Sequence, residues 1–521
     1  MISPNSFLER YCSLTNQSSN FLYEQVTTLS SEVFEISEGK VFFTDLAGLR
    51  NAVNVINRAQ KFDSTQGTGV FKPSFQYRGV IEGFYGIPWS HEQRKRGLVQ
   101  FAKWNMNTFI LAPKDDPWQR FDWKTPFSSD FINQTRDLLL HANELLIDLS
   151  VCVSPGLTVS YSSAEDLDAL MYRYNQLNEI GVMRFGLLLD DIPGELQFAT
   201  DQKKYLSIAE AHADFANRIN EKLKRVNPEA SIFVCPLQYH GRGHEPYISL
   251  LGNSLDSDID LMWTGRQICS EYLEVQDAIV FQESTSKSAL YWDNYPVNDV
   301  AMVHQLHIGP IQKRDKELGN HSIGLVANPM DRFESSLLPL ATIADYLWDS
   351  NSYEAEASWE RALKELIPID QDRIALRHLF RNCFESCLAV DAAPDFGAIL
   401  GSATFSWRTG QASSAAKVLE SYASEALRSY EVITAEAFSW RAIYPEISPW
   451  LSKYKMVAEA LLEIASILRS TTFTNGRLKG SADAAEQVKQ IRISLAQNPT
   501  RIFGDGLDLV LGELATELSA A

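Results

Sequence analysis

The first indication of the fold is Phe185-Gly186-Leu187-Leu188-Leu189-Asp190-Asp191-Ile192-Pro193-Gly194, an apolar run that stops on two adjacent carboxylates before a Pro-Gly turn. Because successive strand residues point to opposite faces, neighbouring aspartates can share one site only where the strand ends and the backbone turns. Barrel enzymes hold their catalytic groups at such strand ends. Two carboxyl groups this close are expected to have different pKa values, with one ionised and one able to carry a proton near neutral pH. The motif therefore predicts an acid–base site.

The length and charge of the chain limit what it is expected to bind. Its 521 residues exceed one ordinary core, and its net charge is −19. This acidic balance argues against a general affinity for nucleic acid or anionic membranes and favours a small neutral or weakly charged ligand. The first residues have neither a basic start nor an apolar run, and no later stretch approaches the roughly 20 apolar residues that span a bilayer. We therefore expect a cytoplasmic protein.

The cysteine pattern indicates thiols rather than disulfides or a metal centre. Six cysteines are scattered without a CxxC pair. Buried free thiols in a reducing compartment are the expected state. Cys235, His240 and His244 could supply zinc ligands, but no fourth ligand is obvious nearby. No metal site is predicted.

Short apolar runs recur between segments of helical period, as a βα-barrel requires. Eight such runs are residues 78–83, 108–113, 149–155, 185–191, 231–236, 259–264, 289–294 and 323–329. An open doubly wound sheet is the alternative, but it would need a Gly-rich phosphate turn, and neither a GxGxxG nor a P-loop motif occurs. The prediction is an α/β chain with a (β/α)8 barrel.

The chain divides into three predicted parts. Residues 1–70 are a small, partly helical segment, with one possible strand at 32–36 and a linker composition at 64–69. Residues 71–355 are the barrel. Residues 356–521 are an antiparallel helical domain, because long Ala-, Leu- and Glu-rich helical patterns replace the strand signals there. Within that domain, residues 405–410 are predicted to be a loop.

The predicted strand ends carry carboxylates, amides and aromatic rings. In chain order they are Glu82 and Gly83, Lys114, Asp190 and Asp191, Tyr239, Trp263, Trp292 with Asn294 and Asp299, and Asn328. Such a set suits a sugar ring, whose C–H face packs on an aromatic side chain while its hydroxyls need polar partners. Nicotinamide, flavin and ATP are not suggested, and no cofactor is predicted.

Several motifs at these positions occur together and in order across residues 76–350. They are YRGVIEGFYGIPWS at 77–90, APKDDP at 112–117, LDDI at 189–192, MWTG at 262–265, WDNYPVND at 292–299 and NPM at 328–330. This set resembles glycoside hydrolase family 84, which contains the O-GlcNAcases and related β-N-acetylglucosaminidases. The resemblance implies a helical domain after the barrel.

The resemblance also implies retaining, substrate-assisted removal of terminal β-linked N-acetylglucosamine, an exception to the two-carboxylate displacement scheme. The acetamido oxygen attacks the anomeric carbon and forms an oxazoline. Asp190 orients the acetamido N–H, and Asp191 protonates the departing oxygen and then deprotonates water. The implied sugar contacts are Gly83, Lys114, Asp299 and Asn328 at the ring hydroxyls, Tyr239 near the reacting centre, and Trp292 and Asn294 around the acetamido group.

Two other functions stay open from the residues alone. An ordinary retaining glycosidase would use Glu82 as the nucleophile and Asp191 as the acid. A non-catalytic glycan-binding protein would keep the pocket without turnover. The contacts also have structural readings: Gly83 as a turn residue, Lys114 as an ion partner of Asp115 or Asp116, Trp292 as barrel filling, and Asn328 as a helix cap.

The leaving-group side and the oligomeric state are open as well. Leu237-Gln238-Tyr239-His240 keeps the tyrosine but changes its neighbours relative to the pattern of the animal enzymes. The expected partner is therefore an N-acetylglucosaminyl glycoconjugate whose aglycone is a protein, a cell-wall fragment or an oligosaccharide. Long amphipathic helices commonly associate, so a homodimer through the helical domain is possible.

Overall fold

The computed structural model describes residues 2–62, 67–389, 392–474, 476–481 and 483–519. The described chain divides into two compact units. The first comprises the residues up to Val297 with Ile311–Asp331 and Leu340–Glu354, and the second comprises Asn298–Pro310, Arg332–Pro339 and the residues from Ala355 onward. None of the helices in the described ranges is both long and apolar enough to cross a bilayer.

The first described residues form a small α/β layer within the first unit. It contains α1 (Pro4–Thr15), β1 (Leu22–Gln25), β2 (Phe34–Ser37), β3 (Lys40–Phe43), α2 (Leu46–Lys61) and β4 (Gly69–Phe71), with the strand order β1-β3-β2-β4. The alternating stretch at 32–36 overlaps β2. Of the predicted linker, residues 64–66 lie outside the described ranges. The buried Arg50 guanidinium donates to the carbonyl oxygens of Leu145 and Leu146 at 3.2 and 2.7 Å, which ties this layer to the rest of the unit.

Eight parallel strands of the described chain close into a barrel, which confirms the predicted fold class. They are β5 (Tyr77–Glu82), β6 (Thr108–Leu111), β7 (Asp148–Val153), β8 (Arg184–Leu188), β9 (Ser231–Cys235), β10 (Asp260–Trp263), β11 (Ala289–Asp293) and β12 (Ser322–Ala327). Each overlaps one of the predicted apolar runs. Neighbours in the chain pair with each other, and β12 closes onto β5 with Leu325 opposite Arg78. Because both faces of such strands are covered, the strands are mostly apolar, with a few charged residues such as Arg78 and Glu82 in β5.

Helices separate the strands, and side-chain caps fix where several of them begin. They are α3 (His91–Lys103), α4 (Pro117–Arg120), α5 (Ser129–Glu144), α6 (Ala164–Glu179), α7 (Ala199–Lys204), α8 (Ile208–Val226), α9 (Pro246–Ser254), α10 (Val275–Thr285) and α11 (Phe333–Trp348). Ser90 and Gln93 form a capping box at the start of α3. Asp116 accepts a hydrogen bond from the Trp118 N–H at 2.9 Å and starts α4. These caps hold the loops that leave the C-terminal ends of the strands.

The fourth barrel strand ends three residues before the predicted position. The apolar run was predicted to extend to Asp191, whereas β8 ends at Leu188. The Leu189 N–H still donates to the Cys235 carbonyl at 2.8 Å, but at Asp191 the backbone enters the left-handed region with φ 53°. An L-residue adopts this conformation at a cost, so the chain turns sharply after Asp190. The turn lets adjacent carboxylates serve one site.

The second unit is mainly helical in its described residues. It contains α12 (Ala355–Leu366), α13 (Asp370–Phe380), α14 (Pro394–Arg408), α15 (Ala412–Thr434), α16 (Tyr444–Arg469), β13 (Thr472–Thr474), β14 (Arg477–Lys479), α17 (Ala484–Ala496) and α18 (Gly506–Ser519). The prediction of a loop at 405–410 is wrong, because α14 continues to Arg408. Trp407 is buried there, and the left-handed residue that ends the helix is Gly410, with φ 84°.

Candidate active site

A buried ion pair joins the ends of β6 and β8. Lys114 is 3% exposed and Asp190 is 6% exposed, and the lysine Nζ donates to Asp190 Oδ2. Burial acts to lower the pKa of Lys114, but the facing carboxylate outweighs burial and raises that pKa. Asp190 Oδ1 is buried and has no hydrogen-bond partner among the described residues. The pair therefore leaves one acceptor oxygen for a donor from a ligand.

The possible alternative partners of Lys114 are otherwise engaged. Asp115 Oδ2 accepts a hydrogen bond from the Gly86 N–H at 2.8 Å, and Asp116 caps α4. The Asp115 contact links the loop after β5 to the loop after β6. Besides its ion pair with Asp190, Lys114 lies over the Trp292 ring, with Nζ 5.4 Å from the ring centroid.

Asp191 is exposed, and both of its carboxylate oxygens accept hydrogen bonds from phenols. Tyr85 donates to Oδ2 at 2.7 Å and Tyr239 donates to Oδ1 at 3.0 Å. Burial and the nearby carboxylate raise the pKa of each phenol, because both effects disfavour a phenolate. The two hydroxyls are therefore neutral, and together they hold the carboxyl group in one orientation.

Tyr85 and Arg120 are parts of the site that sequence reasoning missed. Arg120 Nη1 donates to the Tyr85 hydroxyl at 2.8 Å, and Nη2 donates to the Asp191 main-chain carbonyl at 2.7 Å. Tyr85 lies inside a quoted motif and carried a signal, since it follows Gly83 at a strand end. Arg120 ends a one-turn helix in a loop, and no pattern in the sequence singles it out.

A chain of amide hydrogen bonds connects the ends of β5, β11 and β12. Asn328 Oδ1 accepts from the Gly83 N–H at 3.2 Å, and Asn328 Nδ2 donates to Asn294 Oδ1 at 3.0 Å. The same Asn294 oxygen accepts from Trp292 Nε1 at 2.9 Å. Asn294 Nδ2 donates to the Ile268 carbonyl at 2.8 Å. These contacts hold the indole and the amides in fixed orientations.

Gly83 is required by its close approach to the indole. A Cβ atom built on Gly83 would lie 2.4 Å from Trp292 Cζ2 and 2.8 Å from Cη2. Carbon atoms in contact sit about 3.5 to 4.0 Å apart, so a side chain at this position would displace the ring. The glycine thus sets the distance between the ends of β5 and β11.

Glu82 is committed to a structural ion pair. It is fully buried, and Arg94 donates to both carboxylate oxygens at 2.7 Å while the Trp89 N–H donates to Oε1 at 3.1 Å. Burial raises the pKa of Glu82, and the Arg94 guanidinium opposes the increase. A bidentate pair of this kind occupies the lone pairs that a nucleophile would need.

The remaining candidates are Asp299, Trp263 and Cys235. Asp299 belongs to the second unit, directly before the short 3-10 helix Val300–Met302, and its sugar contact stays a prediction. Trp263 is buried and stacks on Phe281 with 4.8 Å between ring centroids. Cys235 is buried in the barrel interior. Within the described ranges, no group of three or more His, Cys, Asp or Glu side chains is arranged to hold a metal ion.

The residues at the ends of the barrel strands fall within the match to a protein-family profile. A profile of the family described as beta-N-acetylglucosaminidase matches residues 78–381, which include the barrel strands and the residues that meet at their ends. The chain belongs to this family. The match confirms the resemblance to glycoside hydrolase family 84 that the sequence motifs indicated.

Individual members of the family are similar in sequence and fold. Protein O-GlcNAcase of Rattus norvegicus and that of Mus musculus are each 32% identical over 274 residues, which is 51% of this chain and only 29% of either relative. An O-GlcNAc hydrolase of Thermobaculum terrenum, solved as a mutant, has a TM-score of 0.79 and 29% identity, covering 85% of this chain and 95% of that one. CpGH84B has a TM-score of 0.79 at 23% identity, over 97% of this chain and 88% of its own, which supports the fold.

Proposed function

We propose that this protein removes terminal β-linked N-acetylglucosamine from a glycoconjugate, as an O-GlcNAcase does, by a retaining, substrate-assisted mechanism. The observation that carries the proposal is the contrast between two adjacent carboxyl groups. Asp190 is buried with one oxygen unpaired among the described residues, and Asp191 is exposed with both oxygens held by phenols. Adjacent carboxyl groups in such different surroundings are suited to different tasks.

In the proposed reaction, Asp190 binds the acetamido N–H. Its free Oδ1 needs a donor, because an unpaired buried oxygen costs about 1–3 kcal/mol. As the acetamido carbonyl oxygen forms a bond to the anomeric carbon, positive charge develops on the nitrogen. The carboxylate stabilises that charge, and the fixed Lys114 contact keeps the carboxylate from rotating.

Asp191 acts as the general acid in the first half-reaction and as the general base in the second. While the bond between the anomeric carbon and the aglycone oxygen breaks, Asp191 gives its proton to that oxygen and an oxazoline forms. Water then attacks the anomeric carbon from the face that the aglycone left, and Asp191 takes a proton from it. The oxazoline C–O bond breaks, the acetamide is restored, and the configuration is retained.

Further residues are proposed to hold the sugar ring. The Gly83 carbonyl, Lys114 and Asn328 bind ring hydroxyls, and Tyr239 contacts the reacting centre. A ring-hydroxyl contact of Asp299 stays a prediction from the family resemblance. Trp292 and Asn294 enclose the acetamido group. The fixed orientation of the Trp292 indole, through its hydrogen bond to Asn294, supports this role, because apolar walls with a few oriented polar groups are typical of ligand sites.

The alternative with Glu82 as nucleophile lacks support in the contacts. Both Glu82 oxygens are bound by Arg94, so attack on a sugar would first require breaking a buried ion pair. Removing a partner from such a pair costs about 3–5 kcal/mol. The second alternative, a glycan-binding protein without turnover, makes no use of the phenols that orient Asp191.

We also propose a cytoplasmic location, because the buried Cys152, Cys235 and Cys383 are free thiols and fit a reducing compartment. A homodimer through the helical residues stays a prediction. Nucleic acid and membrane surfaces are not proposed as partners.

Release of nitrophenol from a nitrophenyl N-acetyl-β-glucosaminide tests the function. Wild type is expected to release nitrophenol, and Glu82→Gln is expected to keep measurable activity if it folds, as checked by circular dichroism. Wild-type release no higher than that of Asp191→Asn would favour glycan binding without turnover. A folded Glu82→Gln variant with no activity, together with an active wild type, would favour the protein nucleophile.

A further inference from the structure

Arg120 makes one hydrogen bond to Tyr85 and one to Asp191. Within the described residues, its side chain makes no hydrogen bond to the sugar-binding residues proposed above. Its side chain is buried, at the end of α4. One nitrogen, Nη1, donates to the Tyr85 hydroxyl at 2.8 Å, and the other, Nη2, donates to the Asp191 carbonyl at 2.7 Å. The guanidinium therefore supports both the side chain and the main chain of the same residue.

The contact with Tyr85 fixes the direction of a hydrogen bond. A guanidinium has donors and no acceptor, so the Tyr85 oxygen must accept from Arg120. A phenol carries one hydrogen, and the 2.7 Å contact directs it to Asp191 Oδ2. Oδ2 is thereby held as an acceptor. A proton on Oδ2 would have to compete with the Tyr85 hydrogen.

The other oxygen of Asp191 has a partner with more freedom. The Tyr239 hydroxyl contacts Oδ1 at 3.0 Å, and the described residues offer that hydroxyl no second hydrogen-bond partner. Its hydrogen can turn away, so the phenol can accept as well as donate. A hydrogen on Oδ1 is therefore compatible with the surroundings.

The main-chain contact supports the turn that presents the carboxyl group. Asp191 has φ 53°, a left-handed conformation that few non-glycine residues adopt, although aspartate tolerates it better than most. Arg120 Nη2 binds the carbonyl of this residue. Loss of the arginine would free both the peptide and the phenol.

We propose that Arg120 is a positioning residue that reserves Oδ1 of Asp191 for the transferable proton, acting through Tyr85 and through the Asp191 carbonyl. This inference rests on the proposed function, since it takes Asp191 as the acid–base residue. The reaction scheme given above does not say which oxygen of Asp191 carries the proton, and it gives no role to Arg120. The rival explanation is that Arg120 only stabilises the loop between β6 and α5.

The dependence of rate on the leaving group separates the two explanations. We would measure kcat/KM, which reports the first bond cleavage, for the phenyl and the dinitrophenyl N-acetyl-β-glucosaminide. Dinitrophenolate departs without a proton, whereas phenol needs one. For Arg120→Met we expect about a 30-fold loss with the phenyl substrate, within the range of general acid catalysis, and less than about a 3-fold loss with the dinitrophenyl substrate. Equal losses on both substrates would overturn the proposal.

Two further variants control for folding and for charge. Arg120→Lys keeps a charged donor without the two-nitrogen geometry, and we expect it to recover part of the phenyl activity. Arg225→Met is the matched control, because Arg225 is exposed and pairs with Glu221 on the surface of α8. We expect Arg225→Met to behave as wild type on both substrates. If Arg120→Met does not fold, Arg120→Lys carries the test, and a leaving-group-independent loss in it would overturn the proposal.

A double-mutant cycle tests whether Arg120 acts through Tyr85. If it does, Tyr85→Phe with Arg120→Met should lose much less phenyl activity than the product of the two single losses. Losses that multiply would show independent action and contradict the proposal. Failure of the proposed function would look different, because wild type and Asp191→Asn would then show the same dependence on the leaving group.

Discussion

The two sides of the site differ in burial. On the buried side, Lys114, Asp190, Trp292 and Asn328 are each at most 6% exposed. On the exposed side, Asp191 is open to solvent and is held by Tyr85 and Tyr239, which are half-buried. The buried side suits a group that is the same in every substrate, and the exposed side suits an aglycone that varies and a water molecule that must enter.

The difference also shows how each carboxyl group is kept in place. Asp190 is fixed by an ion pair in a dry environment, where charge–charge contacts are strong and an unpaired oxygen is costly. The carboxyl oxygens of Asp191 are held by neutral phenols, and the Arg120 guanidinium binds the main-chain carbonyl of this residue rather than its carboxylate. Substitutions on the buried side and on the exposed side are therefore expected to have different effects on the rate.

The largest effect is expected from changing either carboxyl group to its amide. Asp190→Asn removes the acceptor charge and leaves Lys114 unpaired, so kcat/KM should fall by about 10³ whatever the leaving group. Asp191→Asn should lose about 10² to 10⁴ with a phenyl substrate and far less with a dinitrophenyl substrate. The same dependence on the leaving group in both variants would show that the two carboxyl groups do not have separate tasks.

A smaller effect is expected at the glycine of the buried side. Gly83→Ala places a methyl group against Trp292, and displacement of the ring by about 1 Å should cost about 100-fold in kcat/KM. Gly401→Ala is the matched control, since a Cβ there meets no atom within 4 Å. Wild-type activity in Gly83→Ala would mean that the indole is not part of the site.

The mildest effect is expected on the exposed side. Tyr239→Phe removes one donor from Asp191 while Tyr85 remains, so about a 10-fold loss in kcat/KM is expected for a phenyl substrate. The matched control is Tyr172→Phe, because Tyr172 is exposed on α6. A loss as large as that of Asp191→Asn would show that the phenol itself carries the proton.

The barrel could be predicted because its strands are buried on both faces. Each of them leaves an apolar run that ends on Gly, Pro or polar residues, so the order of the strands can be read along the chain. The small layer before it could not be predicted in full. Strand β1 is largely exposed and β4 is three residues long, so neither shows a clear alternation.

The site could be predicted where its residues come within a few positions of a strand end. Lys114, the Asp190–Asp191 pair and Asn328 stand at the ends of β6, β8 and β12. The choice between partners could not be made from the sequence, since Asp115 and Asp116 are closer to Lys114 along the chain than Asp190 is. Arg120 was missed because its partners Tyr85 and Asp191 lie 35 and 71 residues away in the sequence. Only the folded positions of the loops bring the three residues together.

The most direct test of the central claim is the rate with substrates whose acetyl group carries one, two or three fluorine atoms. If the acetamido oxygen is the nucleophile and the buried side exists to hold it, kcat/KM of the wild type should fall steeply with each fluorine, because fluorine withdraws electrons from that oxygen. A rate that does not change across the series would contradict substrate assistance and the role given to Asp190.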